Sequence, residues 1–415
     1  LLEYKNVYRP ARVISYNKES GELVLHNYMD FDDLKDYVKI SYELTQDGLV
    51  ISKGILPEFS VAPHGEGKTN LKINVPENGK CYLKLIYHLK KELPLLDEDH
   101  ILGFDEIEVS KEDTKCKLAE KWIPKTVVDS ELQVNENDTQ IHIKGREFAY
   151  TIDKRTALFT EMKFAGREYL NHPMELNIWR APTDNDMYIK SEWKKAHYDR
   201  AYTRAYTTEV VQGKHGVKIT SHASVVAETV QKILDVTITW KIEAAGKIDA
   251  DIAVTKDDEF PDLPRFGVRM FLDKKLSAAR YFGMGPQESY CDKHQAASHG
   301  LYHANVDDLH EDYIRPQENG SHYDCEYVEL NNSRYGIVVS AENAFSFNAS
   351  YYTQEELEEK THNYELTESD SVVFCVDYAL NGIGSNSCGP VVLEQYRFDD
   401  VLFRFQFTLI PYIKG

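Results

Sequence analysis

The sequence has no run of eighteen apolar residues, so no part of it reads as a membrane-spanning helix. It has no concentration of basic charge either. Against 48 Lys and Arg stand 68 Asp and Glu, a formal charge of −20, which disfavours nucleic acid or an anionic membrane as a partner. Its six cysteines (Cys81, Cys116, Cys291, Cys325, Cys375 and Cys388) form no CxxC pair, which argues against a zinc ribbon or a redox motif. Scattered through so long a chain, they read as reduced thiols of a cytoplasmic protein rather than as a disulfide framework. No signal peptide opens the chain, but a start at Leu1 rather than Met leaves the natural N-terminus undefined. There is no HExxH, no GK[ST] phosphate loop, no repeat of fixed period and no low-complexity tract.

What is present is β-rich. Hydrophobic residues make up 42% and charged residues 28%, the balance of a soluble globular protein, and 415 residues are too many for one core. Tyr (27) and Phe (17) favour half-buried pleated surfaces, and tyrosine and tryptophan rings also suit the C–H faces of sugars. Residues 1–11 read as the tail of a linker, with Pro10 opposing a helical start. From 12 to 110 about seven short alternating runs follow, including 21–30, 37–56, "TNLKINV", 80–89 and "GFDEIEVS", with Asp47-Gly48 as a hairpin turn. That pattern predicts an immunoglobulin-like sandwich. A charge-rich stretch within 111–137 reads as a linker, and 138–415 as a large antiparallel β-sandwich closing on the alternating "LFRFQFTLIPY" (402–412). The fold class is therefore all-β. Two helices are expected, 186–202 capped by Asp186, and 353–362 opened by a capping box of Thr353 with Glu356.

Four clusters carry possible chemistry. His294, His299, His303, His310 and His322 crowd one region, and His299 and His303 would share a helix face, but Gly300 interrupts it and a polar loop region is the simpler reading. Glu288, Asp292, Glu318, Asp324 and Glu326 could supply a glycosidase-type carboxylate pair, or could equally cap loops beside Gly283, Gly285 and Asn319-Gly320. "WRAPTDND" (179–186) has the carboxylates of a calcium-like loop without its Gly or closing Glu, so an Asx-type turn is preferred. "NGIGSNSCGP" (381–390) cannot hold a strand and reads as a loop at a sandwich mouth, where ligand contacts are common.

Together "WRAPTDND", "GMGPQESYCD", "YIRPQENGSHYDCEYVEL" and "DYALNGIGSNSCGP" resemble, in order and spacing, the C-terminal domain of large bacterial β-galactosidases of glycoside hydrolase family 2. "EYKNVYRPARV" resembles the segment that leaves their catalytic barrel. The resemblance implies that this chain holds a second immunoglobulin-like domain and a β-supersandwich, while both catalytic glutamates lie in a barrel that it lacks. It implies no catalytic residue and no metal site here; magnesium and a monovalent cation belong, if anywhere, to that barrel. It also implies retaining hydrolysis of terminal β-D-galactosides by the intact enzyme. The expected partners are a β-galactoside or free galactose-type sugar, the N-terminal domains of the same enzyme and, in the intact protein, further copies of it. Arg180, Asp184, Asn185, Asp186, Gln287, Glu288, Glu318, Asn319 and Gly320 become structural motif residues, and Asn386, Ser387 and Cys388 candidate sugar contacts. Cys388 stands nearest the position where the family places a stacking tryptophan, and a thiol lacks that stacking area. The alternative is a self-standing carbohydrate-binding or aldose-epimerase-like sandwich using His294 or His322 with Glu318.

Overall fold

The computed structural model describes residues 1–111, 114–122 and 132–414; residues 112–113 and 123–131 of the expected 111–137 linker lie outside the described residues. The chain divides into two compact units, Leu1–Leu118 with His294–Tyr302, and Ala119–Lys293 with His303–Gly415.

The first unit begins with a helix, α1 (Leu2–Val7), where the sequence suggested linker. Its anchor is Asn6, a buried residue whose Oδ1 accepts from the backbone N of Phe104 at 2.7 Å. Seven strands follow, β1 (Ala11–Tyr16), β2 (Glu22–Asn27), β3 (Val38–Gln46), β4 (Leu49–Ile55), β5 (Glu66–Asn70), β6 (Cys81–Leu89) and β7 (Ile101–Glu108), with a one-turn helix α2 (Leu34–Tyr37) before β3. They form antiparallel sheets in the orders β1-β2-β5 and β4-β3-β6-β7. Asp47 and Gly48 both take positive φ, 47° and 79°, which matches the hairpin twist and lets Gln46 pair with Leu49. Alternation sets the faces: Leu83, Leu85 and Tyr87 of β6 are buried with Leu23, Leu25 and Leu44. Tyr82 points the other way yet is also buried, because its ring stacks on His299 with centroids 4.1 Å apart. The "TNLKINV" run pairs only as far as Asn70; beyond it Leu71 N turns to Gly21 O and the ladder ends.

The second unit has two sheets. β8 (Gln133–Glu136), β9 (Gln140–Lys144), β10 (Phe148–Asp153), β11 (Leu158–Phe164) and β12 (Arg167–Glu168) pair antiparallel in sequence order. The larger sheet uses β13 (Leu170–Asn177), β14 (Tyr202–Gln212), β15 (Gly216–Val226), β16 (Leu234–Glu243), β17 (Ile248–Lys256), β18 (Arg265–Asp273), β19 (Ala278–Gly285), β21 (His322–Asn331), β22 (Tyr335–Ser350), β23 (Ser371–Leu380) and β24 (Leu402–Ile413); β20 (Ser298–Asn305) begins in the segment that clusters with the first unit. Its main path is β13-β18-β23-β22-β24-β17-β16-β15-β14, with β21 paired to β22 and β19 to β21. Period-two burial drives this: on β24 Phe403, Phe405 and Phe407 are buried while Arg404 and Gln406 face out.

The helices are shorter than the sequence suggested. α3 covers only Ile189–Lys195, since His197 turns left-handed (φ 58°) and Tyr202 enters β14, paired with Val226. Asp186 does not cap α3; it closes a 3₁₀ turn with Thr183 in a reciprocal capping box. α4 (Gln354–Glu359) is capped by Thr353, whose Oγ1 accepts from Glu356 N at 3.1 Å. The return bond is missing, because the Glu356 carboxylate accepts instead from Thr367 N at 2.8 Å.

Candidate functional site

The motif strings, far apart in sequence, meet at the turn Asn381–Gly384 that follows β23. Arg180, wholly buried, donates through Nη1 to Asn381 O (2.5 Å) and through Nη2 to Gly382 O (3.2 Å). Its Nε and Nη2 also form a fork on Asp186 at 3.1 and 2.7 Å, so the carboxylate fixes the guanidinium's plane. Asn185 Nδ2 donates to Ile383 O (2.5 Å). From the other side, Asp292 accepts from the backbone N of Ile383 (3.0 Å) and Gly384 (2.8 Å). Asn381 is buried as well, and its Oδ1 accepts from Phe398 N at 2.9 Å. Asp184 N donates to Gln317 Oε1 at 3.0 Å, tying this string to the "RPQENG" segment.

Behind that turn is a second buried layer. Arg265 forks onto Asp377 (Nε 3.0 Å, Nη2 2.5 Å) and places Nη1 at 3.2 Å from both oxygens of Glu318. One guanidinium thus serves two carboxylates, and burial raises the pKa of both acids, with Arg265 opposing the rise. Glu288 accepts from Lys293 Nζ, Tyr313 OH and the backbone N of Gly320, the last at 2.9 Å. Asn319 bridges Gln317 O and Glu311 N, and its own carbonyl accepts from Asn348. Gly320 needs its hydrogen: φ is +70°, and a Cβ would stand 2.3 Å from Leu309 O. Gln287 is half-buried and stands outside these bonds.

The acids that suggested a glycosidase pair are therefore occupied. Glu288, Asp292 and Glu318 hold loops and guanidinium; Asp324 takes a left-handed φ of 53° and lines a cavity of about 320 Å³, and Glu326 is half-buried on β21. The histidines do not share a helix: His299 and His303 lie on β20. His299 pairs with Glu106 (2.6 Å) in the first unit, and His294 belongs to that unit too. His322 is buried against Tyr281 and Phe347 and bonds Gly320 O at 3.1 Å, and burial lowers its pKa to about 4. His310 is half-buried, with its pKa lowered by the same cause. Among the described residues no three His, Cys, Asp or Glu side chains gather to hold a cation. Of the residues named for the epimerase-like alternative, Glu318 is held by Arg265 and His322 faces the backbone carbonyls of Gly320 and Pro286.

The clamped turn leads into the candidate contact loop. Asn386 lines a cavity of about 690 Å³ with Asn185, Tyr188, Glu192, Asp262 and Arg397. Ser387 is half-buried and Cys388 exposed, neighbours on the same loop. Sequence reasoning missed Arg265, Asp377, Asn381, Lys293 and Tyr313. A signal existed for two of them: "RFGVRMFL" and "SVVFCVDYAL" each bury a charge inside an apolar strand, which demands a partner.

Comparison with known proteins gives one consistent result. The family model described as "Beta galactosidase small chain" matches residues 144–409, and that described as "Beta-galactosidase, domain 4" matches 23–110. The β-galactosidase of Actinobacillus pleuropneumoniae is 43% identical over 99% of this chain, and that of Staphylococcus xylosus 31% identical over 98%. The chain spans 40% of the length of each of these relatives. Among solved structures, a galactose 1-epimerase from Lactobacillus acidophilus is 8% identical, with a TM-score of 0.38 over 69% of this chain and 100% of that one, a likeness too low to carry an argument.

Proposed function

This chain belongs to the β-galactosidase family, and from that premise we propose that it forms the C-terminal, non-catalytic portion of such an enzyme. In this reading the intact enzyme, a cytoplasmic glycoside hydrolase of family 2, cleaves terminal β-D-galactosides with retention, through two carboxylates in a barrel outside this chain. The partners are then the galactoside, the N-terminal domains and further copies of the same enzyme.

The observation that carries the reading is the doubly clamped turn Asn381–Gly384. Arg180 and Asn185 hold its carbonyls, and Asp292 holds its N–H groups, so the following loop leaves a fixed base. Asn386 then lines the 690 Å³ cavity with Ser385, and Ser387 and Cys388 follow on the same loop. A hydroxyl-bearing ligand would meet amide and hydroxyl groups there, and the Cys388 thiol contributes little area for stacking. Binding at the mouth orients the part of the substrate beyond galactose; the bond-breaking step belongs elsewhere.

The test separates the parts. The purified chain, given a chromogenic β-galactoside, is expected to release nothing, and mixing with the separately produced N-terminal remainder of the enzyme is expected to restore cleavage. Cleavage by the chain alone, or no restoration by stably folded parts, overturns the proposal. Accelerated mutarotation of fresh α-galactose by the chain would support the self-standing epimerase-like alternative instead.

A further inference from the structure

The cavity of about 320 Å³ that Asp324 lines opens where the β21–β22 ladder breaks. Pairing jumps there from Tyr327–Ser340 to Cys325–Phe345, so residues 341–344 bulge out of register. Bulges of this kind are common beside ligand sites, because they turn side chains away from the ladder. The facing wall is the end of β23 and the segment 395–400. That wall is fixed: Tyr396 O accepts from Gly382 N at 2.8 Å, and the Cys291 thiol reaches Leu380 O and Tyr396 O at 3.7 and 3.9 Å. The volume falls at the lower end of small-molecule sites, room for one ring-sized ligand. Buried Phe345 and Phe398 line it, with half-buried Tyr323, Tyr378 and Tyr396. Gln395, Arg397 and Asp400 are exposed at its rim, so a ligand reaches it from solvent. Asp400 makes no hydrogen bond or ion pair among the described residues; partial burial and the neighbouring Asp399 raise its pKa, and a donor would relieve both effects. Burial also raises the pKa of Tyr323 and Tyr378, which keeps both phenols as donors at neutral pH.

We propose that this cavity binds a neutral monosaccharide, whose hydroxyls donate to the Asp400 carboxylate and meet the phenols of Tyr378 and Tyr396, and whose C–H face lies against the aromatic lining. An anion meets Asp324 and Asp400 unfavourably, and an organic cation meets Arg397. A purely apolar ligand strips water from the carboxylate and the phenols without replacing it. A polyhydroxylated ring satisfies the polar rim and the aromatic wall together. The cavity shares only Arg397 with the one at Asn386, and the proposal does not rest on the galactosidase reading.

Saturation-transfer NMR and calorimetry on the full chain, with D-galactose, D-glucose, glycerol and tetramethylammonium as probes, test it. Saturable binding of at least one of the two sugars is expected, with glycerol weaker and tetramethylammonium unable to displace the sugar. Asp400→Asn, which keeps the shape and removes the charge, is expected to weaken sugar binding about tenfold. Tyr396→Ala, which removes a phenol and a ring face, is expected to weaken it as well. Asp400 is exposed and outside the strands, so its variant keeps the test open if the Tyr396 variant fails to fold. No saturable binding of either sugar, or binding that both variants leave within about twofold, overturns the proposal. Displacement of the sugar by tetramethylammonium overturns a neutral ligand, and weakening by Asn386→Ala alone assigns the sugar to the loop and overturns the proposal too.

Discussion

Arg265→Met isolates the buried charge network. Methionine matches the stem of arginine but removes four donor contacts, two to Asp377 and two to Glu318. Arg265 and both acids are almost wholly buried, so water cannot replace the guanidinium. Breaking a buried pair from one side costs about 3–5 kcal/mol, because a charge is left without compensation. Here two carboxylates are left, which makes the cost depend on pH. Both acids already have raised pKa values in the folded protein, from ordinary values of 4.5 and 3.8, with burial the main cause and Arg265 opposing it. A carboxyl with a raised folded pKa adds stability below its unfolded pKa, and that contribution is lost as pH rises through the folded value. Removing Arg265 raises both folded values further, so each acid that takes up a proton on folding adds about 1.4 kcal/mol per pH unit to the slope. Urea unfolding of the two proteins at pH 8 and pH 5 measures the difference; the deficit is expected to be larger at pH 8. Other groups, His322 among them, are common to both proteins and cancel. Glu318→Gln in the Arg265→Met background is expected to recover part of the loss at pH 8 and little at pH 5. A deficit equal at the two pH values, or below about 1 kcal/mol at pH 8, refutes the reasoning.

Asp292→Ala strips the acceptor from Ile383 N and Gly384 N, and charge-assisted bonds of this type are worth about 1.5–3 kcal/mol each. Hydrogen exchange at these two amides is expected to accelerate, while the strand amides of β16 and β17 stay protected. Gly320→Ala forces a positive φ on alanine and a Cβ to 2.3 Å from Leu309 O, so the second unit is expected to melt lower by more than the roughly 1 kcal/mol that a positive φ alone costs. His322, with its pKa at about 4, binds a proton in the unfolded chain but not in the folded one between pH 6.5 and 4; stability is expected to fall by about 3 kcal/mol across that window, and imidazole NMR at pH 5 is expected to show a neutral ring. In the intact enzyme, Cys388→Trp is expected to tighten binding of aryl aglycones by about 0.5–1.5 kcal/mol, and unchanged inhibition constants for every aglycone refute a place for Cys388 at the pocket edge.

What the sequence disclosed and what it hid divide along the range of the interactions. Strand faces depend on neighbours two residues away, and Asp47-Gly48 fixes its hairpin within four, so β3, β4, β6 and β24 were legible. The over-long helix at 186–202 failed because a polar, aromatic stretch satisfies helix and strand patterns alike, and pairing of Tyr202 with Val226 decided the matter. The site was harder. "GPQESYCDKHQAA" looks like acid–base chemistry only while its partners are unseen. Glu288 answers to Gly320 32 residues away, Asp292 to Ile383 at 91, and Arg180 to Asn381 at 201. A carboxylate that accepts two backbone N–H groups and one poised for proton transfer are the same letter in a sequence. What distinguishes them is whether the surrounding charges and hydrogen bonds are already satisfied, and in this chain Arg180, Arg265 and Lys293 satisfy the motif acids Asp186, Glu318 and Glu288. The density of titratable groups that seemed to promise catalysis is therefore better understood as the means of holding a glycine-rich turn still. Only a turn held from both its carbonyl and its amide side can present Asn386 in a defined place without a strand to support it.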